Sequence, residues 1–331
     1  MRVEVVVLTA VSGLSCMSDS GAAVDSFHVL IHPGDGKYSY LEPGSSEFAP
    51  SAGSMSTATA GALGLTLKQL YDNHPALAYA FYNDEKPTGE TTSYYAHAKG
   101  VVAFDGSSGF WLIHSVPKWP PAAASGFGPP LSSTYGQSAF CVTLTAESIE
   151  VMAGQQMVAR PWIYNASMPS SISSPKLGSW IGGEYDKDSA TKTAAIQTKG
   201  GNSFTHFAKS KTASNDLYED VVSPGLKQDL VCETWQNGSG DLGPFCKPQH
   251  TWEVVDVKSV EVNGETWTIN QDHSKWCVSK SSNYVCVGDM NRQSGQEKRG
   301  GGTLCSSDSA TYKAFTSAIQ GKNSCSGASL V

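Results

Sequence analysis

The sequence predicts an α/β protein made of two pseudo-symmetric halves, each a β-sheet flanked by helices, with a single active site at their interface. Stretches with strand-like alternation follow stretches with helical spacing along the 331 residues, which is typical of the α/β class. One strand–turn–strand element also occurs twice, beginning at His97 and at His273. No apolar run approaches the roughly 20 residues that cross a bilayer, so we expect no membrane span.

Most of the predicted elements are strands in hairpins. Alternation between turn residues predicts strands over 24–32, 37–41, 97–104, 110–115, 252–262, 265–269, 273–279 and 284–289. Apolar residues at helical spacing predict helices over 65–77, 146–157 and 308–320. The small-residue stretch 43–62 and the proline-rich stretch 117–130 are expected to be loops. The Ser/Pro-rich linker 166–176 separates two predicted halves, 16–165 and 166–331.

The amino-terminal residues have two interpretations. An apolar run over 5–11 and small residues before Cys16 resemble a signal peptide, residues 1–15, cleaved after Ser15. Because Glu4 is unusual in such a peptide, a first buried β-strand is the alternative. Eight cysteines, none in a CxxC pair, favour structural disulfides and an oxidising compartment. Sequons at Asn165 and Asn237 are compatible with glycosylation of a secreted protein.

The formal charge of −7 argues against a nucleic-acid partner at neutral pH, because phosphate binding normally needs a basic surface. The chain has eight histidines, whose ordinary pKa is about 6.5. Their charging at about pH 5 more than cancels the formal negative charge. Acidic conditions, as in a lysosome, therefore remove the objection, although any acidic protein follows the same trend.

The repeated element carries most of the functional information. Its first copy, HAKGVVAFDGSSGFWLIHSVP, starts at His97, and its second copy, HSKWCVSKSSNYVCVGDMNR, starts at His273. Each copy opens with His-x-Lys, follows an apolar strand, turns, and returns to a polar residue, His114 or Asn291. One HxK alone has almost no specificity, but two in matched hairpins have much more. The alternative is that both are ordinary strand residues, with solvated lysines and hydrogen-bonded histidines.

The spacing places these polar side chains together. Residues i and i+2 of a strand share a face, and a short hairpin brings the end of one strand beside the start of the other. If the two halves pack about a pseudo-twofold axis, six side chains converge on one cleft: His97, Lys99, His114, His273, Lys275 and Asn291. Such a cleft fits a phosphate, since ammoniums and an amide hold its oxygens while two imidazoles lie on opposite sides of it.

The doubled HxK, followed by Gly-Asp-Met-Asn at 288–291, resembles the HxK…GSxN pattern of the phospholipase D superfamily. Within that superfamily the chain is most similar to the deoxyribonuclease II family, in the strings CMSDSGAAVD, YNDEKP, HAKGVV, GFWLIHSVPKWPP, QDHSKWCVS, CVGDMNRQ and RGGGTLC. The superfamily's aspartate is missing at its usual spacing, where Phe104 and Lys280 stand. The nuclease branch shares that departure.

The resemblance implies a phospholipase D-like fold and an acid endodeoxyribonuclease. It further implies a phosphohistidine intermediate, no metal or other cofactor, 3′-phosphate and 5′-hydroxyl ends, and a homodimer. We assign His97 as the nucleophile and His273 as the general acid and base, with the reverse assignment open. His114 is expected to hold the phosphate or to orient His97. Lys99, Lys275 and Asn291 are expected to stabilise the non-bridging oxygens.

Four further residues are candidates for substrate binding: Trp276, Asp289, Arg292 and Arg299. The alternatives are core packing for the tryptophan and solvated turns for the charged residues.

By resemblance, the expected disulfides are Cys16–Cys141, Cys246–Cys325 and Cys286–Cys305. Cys277 is then a buried thiol or the partner of Cys232.

The expected partner is DNA, and the expected location is lysosomal or secreted. Two other functions remain open. The first is phosphodiester hydrolysis of RNA or lipid on the same fold. The second is DNA binding by a secreted member of the family that has lost activity.

Overall fold

The structure is a computed structural model that describes residues 13–132 and 134–325. Most of the segment expected to be a signal peptide, residues 1–12, lies outside the described residues. The strands are β1 (Cys16–Met17), β2 (Ala23–Val24), β3 (Ser26–Ile31), β4 (Lys37–Leu41), β5 (Ala49–Ser54), β6 (Ala78–Asn83), β7 (Lys99–Phe104), β8 (Ser108–His114), β9 (Gln137–Thr145), β10 (Ile163–Ser167), β11 (Thr191–Gln197), β12 (Ser203–Lys209), β13 (Leu230–Thr234), β14 (Val254–Val262), β15 (Glu265–Thr268), β16 (Lys275–Ser279), β17 (Val285–Gly288), β18 (Gly301–Ser306) and β19 (Ile319–Lys322). The α-helices are α1 (Gly61–Asn73), α2 (Ala146–Ala159), α3 (Pro175–Ile181), α4 (Ser223–Leu226) and α5 (Ser309–Ala318).

The first half of the chain forms an eight-stranded sheet in the order β10-β6-β7-β8-β9-β3-β4-β5. All its neighbouring strands are antiparallel. Its outer face is covered by α1, whose Leu63, Leu67 and Leu70 are fully buried in a core shared with strand residues such as Phe27 and Val101. The first HxK hairpin, β7–β8, lies in the middle of this sheet.

The second half forms a sheet in the order β11-β12-β18-β17-β16-β13-β14-β15, with β19 also paired to β14. Its neighbours are antiparallel except for β13 and β14, which are parallel. The second HxK hairpin, β16–β17, is central here as well. The outer face of this sheet carries a π-helix, Tyr218–Val222, that packs on Leu230 and Val254.

The inner faces of both sheets share one hydrophobic core. Alternate residues of each inner face, with residues of α2 and α5, form a single buried cluster. The rings of Phe140 in β9 and Phe204 in β12 are 5.4 Å apart, and the rings of Trp276 in β16 and Phe315 in α5 are 5.2 Å apart. The two hairpins are therefore held against each other by packing. Among the described residues no helix is long and apolar enough to span a bilayer.

The elements agree with the predicted hairpins within two or three residues, but several strands were not predicted. The segment 43–62 was expected to be a loop, which is wrong in part because β5 lies within it. This edge strand pairs irregularly with β4 and consists of small residues, so it shows no alternation. The predicted helix at 65–77 instead begins at Gly61. β6 is buried along its whole length and β11 is mostly exposed, so neither alternates.

Four disulfides link the described cysteines. The pairs Cys16–Cys141, Cys246–Cys325 and Cys286–Cys305 are those that the resemblance implied. The fourth pair, Cys232–Cys277, joins β13 to β16 and resolves the alternative left open for Cys277. Because it ties the strand that begins with Lys275 to its neighbour, this bond supports the second HxK hairpin directly.

Truncating α1 at its buried face should destabilise the protein. In Leu67→Ala the free energy of unfolding should fall by about 2–5 kcal/mol, because a fully buried leucine leaves a cavity between helix and sheet. The matched control is Lys68→Ala, at the next position on the helix, where only an exposed ion pair with Asp72 is lost. Denaturant titration with the disulfides intact measures both, and equal losses would contradict this packing.

Candidate active site

The two HxK segments lie just before their strands, and each is anchored to the opposite half. The backbone N–H of His97 donates to the carbonyl of Gly300 at 2.9 Å, and that of His273 donates to the carbonyl of Gly136 at 2.7 Å. The backbone N–H of Lys275 likewise donates to the hydroxyl of Ser138 at 3.1 Å. The structure therefore brings both motifs to one interface between the sheets.

Both imidazoles are oriented by main-chain carbonyls of the other half. Nδ1 of His97 lies 2.7 Å from the carbonyl oxygen of Asp289, just after β17. Nδ1 of His273 lies 3.3 Å from the carbonyl oxygen of Ser115, just after β8, and 3.2 Å from Oε1 of Gln137. A carbonyl can only accept a hydrogen bond, so in each neutral imidazole Nδ1 carries the hydrogen. Each Nε2 then holds the lone pair that a nucleophile or a base requires, and Nε2 of His97 accepts from the ammonium of Lys99 at 3.5 Å.

Burial and nearby lysines keep both imidazoles neutral in the free protein. Burial lowers the pKa of His97 well below its ordinary value, and the charge of Lys99 lowers it further. Burial also lowers the pKa of His273, assisted by the charges of Lys275 and of Lys99. Since the lysine of each half acts on His273, the two motifs share one electrostatic environment.

The ammonium of Lys99 is held by a buried carboxylate that the sequence did not single out. Asp84 forms a close ion pair with Lys99, and its other oxygen accepts from the guanidinium of Arg299 at 3.0 Å. The same carboxylate lies 3.9 Å from Nε2 of His97. Burial alone would raise the pKa of Asp84, but Lys99, His97 and Arg299 together hold it well below its ordinary value. Asp84 is thus the fixed counter-ion of the first motif.

Lys275 forms no ion pair with a carboxylate in the part of the chain that the structure describes. Its side chain is buried and its Nζ contacts the carbonyl oxygen of His273 in its own motif. Burial and the charge of Lys99 lower the pKa of Lys275 well below its ordinary value. An anion placed between the two motifs would raise the pKa of Lys275 again. The positive charges of the two lysines are therefore only partly balanced by negative charge in the free protein.

His114 lies at the end of β8 and is fully buried. Its Nδ1 accepts from the backbone N–H of Val116 at 3.2 Å, so in the neutral ring Nε2 carries the hydrogen. That Nε2 has no hydrogen-bond partner among the described residues. Burial, together with the charge of Lys99, lowers the pKa of His114 to about 3. His114 is therefore a neutral hydrogen-bond donor near Lys99. His97 is oriented by the carbonyl of Asp289 and not by His114.

Asp289 and Asn291 follow β17 and are both buried. Burial raises the pKa of Asp289 to about 8, so this carboxyl is protonated in acid. The amide of Asn291 donates to Oε1 of Gln293 at 3.1 Å, while its own Oδ1 has no partner in the part of the chain that the structure describes. Among the described residues, no three His, Cys, Asp or Glu side chains are arranged to hold a metal ion.

The chain is similar in sequence to known proteins of one family. The family model "Deoxyribonuclease II" matches residues 15–325. The chain is 34% identical to deoxyribonuclease-2-alpha of Sus scrofa, with 95% of this chain and 92% of that protein covered. It is 33% identical to deoxyribonuclease-2 of Caenorhabditis elegans and to plancitoxin-1 of Acanthaster planci, each with 95% of this chain and 94% of the relative covered.

The chain belongs to the deoxyribonuclease II family. Membership makes it a hydrolase of the nuclease class. The four disulfides fit an extracellular or lysosomal member of this family.

Two residues expected to contact substrate in this deoxyribonuclease II-family protein do not reach the surface. Arg292 is fully buried, forms an ion pair with Asp256 and donates to the carbonyl of Gly243, so its expected role on the DNA backbone is wrong. Trp276 is also fully buried against Phe315, which leaves no ring face for a base.

Arg299 is held by the segment before His97. Besides Asp84, its guanidinium donates to the carbonyls of Tyr95, Thr92 and Ala96. It therefore acts as a clamp on the segment before His97, and the expectation of a DNA contact is corrected. Asp289 contributes to the site, but by its main-chain carbonyl and as a neutral acid.

Sequence reasoning also missed Asp84 and Gln137. Asp84 comes directly after the wholly buried strand β6, a position where a carboxylate needs a partner, and this was the available signal. Gln137 begins β9 and connects Ser115 to His273, which no local pattern in the sequence indicates. Glycosylation at Asn165 and Asn237 stays a prediction.

Removing the charge of Asp84 should destabilise the fold of this family member. In Asp84→Asn the ammonium of Lys99 and the guanidinium of Arg299 lose their buried counter-ion, and the free energy of unfolding at pH 5 should fall by about 3–5 kcal/mol. The difference should be constant above about pH 4, where the unfolded carboxyl is ionised. It should shrink as the pH falls below about 4 toward the lower folded-state pKa, because there the unfolded chain binds a proton that the native protein does not.

Denaturant titrations from pH 3 to pH 7 measure this difference. Asp72→Asn, which removes the exposed partner of Lys68, is the matched control and should change stability by less than about 1 kcal/mol. A difference for Asp84→Asn that grew toward low pH would contradict the assignment.

Proposed function

We propose that this chain is an acid endodeoxyribonuclease that hydrolyses DNA phosphodiester bonds without a metal ion, through a phosphohistidine, leaving 3′-phosphate and 5′-hydroxyl ends. The observation that carries the proposal is the pair of imidazoles, one from each half, whose Nδ1 atoms lie on carbonyls of the opposite half beside two buried lysines. The relatives named above as deoxyribonuclease-2 support DNA as the substrate.

In the first step the lone pair on Nε2 of His97 attacks phosphorus. The P–O5′ bond breaks, and His273 in its protonated form donates its proton to the leaving oxygen, which gives the 5′-hydroxyl end. The intermediate is a P–N bond between His97 and the 3′-phosphoryl group. The carbonyl of Asp289, which accepts from the Nδ1–H group of His97, stabilises the positive charge that develops on the attacking ring.

In the second step water attacks the same phosphorus. His273, now neutral, takes a proton from the water, and the P–N bond breaks to release the 3′-phosphate. Lys99 and Lys275 stabilise the non-bridging oxygens electrostatically, with the free N–H of His114 and the amide of Asn291 as further ligands.

The titrating groups explain activity in acid. As the pH falls, Asp289 becomes neutral, Lys275 becomes charged, and one imidazole takes the proton that the leaving group needs. All three changes make the site more positive. A bound phosphodiester carries a negative charge, and it raises the pKa of His273 and of Lys275 in the complex relative to the free protein.

The fold supports the same proposal. The reciprocal bonds from each histidine to the residue that follows the other half's hairpin fit a pseudo-twofold, phospholipase D-like arrangement of the halves 16–165 and 166–331. An oxidising and acidic location, lysosomal or secreted, fits the four disulfides. The homodimer implied by the resemblance stays a prediction.

The decisive assay is plasmid cleavage at pH 5 in excess EDTA. The unmodified protein should cleave, and His97→Ala and His273→Ala should each lose at least about 100-fold in rate, because each removes a proton-transfer or nucleophilic group. His74→Ala, at the end of α1 on the outer face of the first sheet, is the control and should retain activity. Cleavage that required a divalent metal would contradict the mechanism, and DNA binding without cleavage would favour an inactive family member.

Replacing Asp289 with asparagine tests the origin of the acid dependence. Because burial raises the pKa of Asp289 to about 8, the wild-type protein should lose stability as the pH rises from about 4 toward 8, where the unfolded chain has already released this proton. Asp289→Asn should remove that part of the loss and extend plasmid cleavage toward neutral pH. Unfolding and cleavage profiles from pH 4 to pH 8 that coincide with the wild type would contradict this role.

A further inference from the structure

The side-chain amide of Gln137 contacts the ring of His273, and the mechanism above gives it no role. Its Oε1 lies 3.2 Å from Nδ1 of His273 and accepts from the hydroxyl of Ser115 at 2.6 Å. Both Gln137 and Ser115 are buried. One amide oxygen of the first half is therefore shared between a hydroxyl of that half and an imidazole of the second half.

The surrounding hydrogen bonds settle which way this amide points. The backbone N–H of Ser138 donates to the hydroxyl oxygen of Ser115 at 2.8 Å, so the hydroxyl's own hydrogen is available for Gln137. The carbonyl of Ser115 lies 3.3 Å from Nδ1 of His273, which requires a hydrogen on that Nδ1. Both neighbours thus offer a hydrogen to the same atom of Gln137. Only the amide oxygen can accept them, because the amide nitrogen is a donor.

Backbone contacts on either side of Gln137 fix its position relative to the second motif. The carbonyl of Gly136 accepts from the N–H of His273 at 2.7 Å, and the hydroxyl of Ser138 accepts from the N–H of Lys275 at 3.1 Å. A Cβ at position 136 would come within 3.0 Å of the carboxylate that precedes His273, so glycine permits this close approach. Gln137 therefore lies between two anchors and cannot move away without separating the halves.

Basic groups face His273 from both halves. Burial is the main cause of its low pKa, and three groups lower that pKa further: Lys275, Lys99 and His97. The ring of Trp235 packs on it at 5.0 Å. No carboxylate of residues 13–132 or 134–325 forms an ion pair with His273. The acceptors at its Nδ1 are therefore neutral.

Four carboxyl groups lie near the site. Three of them oppose the lowering of the pKa of Lys275 by burial and by Lys99: Asp272, Asp84 and Glu233. The fourth, Asp289, is protonated in acid, because burial raises its pKa to about 8. Negative charge is thus placed toward the lysines, while an uncharged amide faces the imidazole.

The charge of the acceptor matters for a ring that gains and loses a proton. A carboxylate at Nδ1 would stabilise the imidazolium and make the ring a stronger base. An amide oxygen orients the ring without that added stabilisation. In the proposed mechanism His273 is charged when it protonates the leaving oxygen and neutral when it takes a proton from water. A neutral acceptor holds the ring in one orientation through both states.

We propose that Gln137 is a positioning residue for His273, whose uncharged amide oxygen holds the ring through both steps and confines its charged form to acidic solution or to the phosphodiester complex. This inference rests on the proposed nuclease function, since it assigns Gln137 to the same reaction. Two replacements of similar size separate orientation from charge. Gln137→Leu removes the acceptor, and Gln137→Glu keeps an acceptor and adds a negative charge.

The test is the rate of cleavage of a fluorescent DNA duplex from pH 4 to pH 8 in EDTA. Gln137→Leu should lower kcat by about 10-fold or more while KM changes by less than about 3-fold, because a misplaced ring is felt in the transition state. Gln137→Glu should keep kcat at its optimum within about 3-fold of the parent. Its alkaline midpoint of kcat should lie higher by about one pH unit or more, because the carboxylate favours the charged ring.

The matched control is Gln69→Glu, the same change on α1, where the side chain contacts only carbonyls and an N–H of the first half. Its pH profile should coincide with that of the parent. Equal losses of kcat in Gln137→Leu and Gln137→Glu would overturn the proposal. So would an alkaline midpoint in Gln137→Glu that does not move, or that moves no further than in Gln69→Glu.

NMR of the histidine ring nitrogens keeps this outcome apart from that of the nuclease function. The spectrum of His273→Ala assigns the signal, and Gln137→Glu should raise the pKa of His273 in the free protein by about one unit or more. That shift with no cleavage by the parent would reject the nuclease and retain the role of Gln137. Cleavage by the parent with an unchanged pKa of His273 in Gln137→Glu would do the reverse.

Discussion

The hydrogen bonds that the imidazole of each HxK motif makes to a main-chain carbonyl of the opposite half are the constraint on which the site depends. The carbonyl of Asp289 accepts from His97, and the carbonyl of Ser115 accepts from His273. Each bond fixes the tautomer, so that Nε2 of each ring keeps its lone pair. Because the acceptors belong to the backbone, they do not titrate, and the geometry persists at any pH at which the two sheets stay packed. Folding and preparation of the nucleophile are therefore one event.

The second constraint is charge. Two lysines and two histidines are buried within one electrostatic environment, and Asp84 is the carboxylate that forms an ion pair with Lys99. The result is a site with too little negative charge, and a phosphodiester supplies what is lacking. Proton binding and substrate binding are coupled here, since a bound proton raises the affinity for the phosphodiester and the bound phosphodiester raises the affinity for the proton. In the proposed mechanism an acid optimum follows from burial of the site and needs no separate sensor.

The sequence predicted the hairpins and their polar ends because alternation and turn residues are local signals. It also indicated that the two HxK motifs would meet, since the two copies of the repeat could be compared with each other. It gave the wrong surroundings for Arg292 and left core packing and base stacking both open for Trp276, because a charged or aromatic residue next to a motif does not reveal whether it faces the core. Asp84 and Gln137 were missed for a related reason. Their partners are 15 and 136 residues away, and only the packed structure pairs them.

The central claim is that both HxK motifs grip the same phosphorus centre, and a crystal structure of the protein with orthovanadate at pH 5 tests it most directly. The account predicts one bound anion within about 3 Å of Nε2 of both His97 and His273, the reach of proton transfer, with Lys99 and Lys275 on its equatorial oxygens. Anions bound separately at the two motifs, or one anion that touches only one histidine, would contradict it.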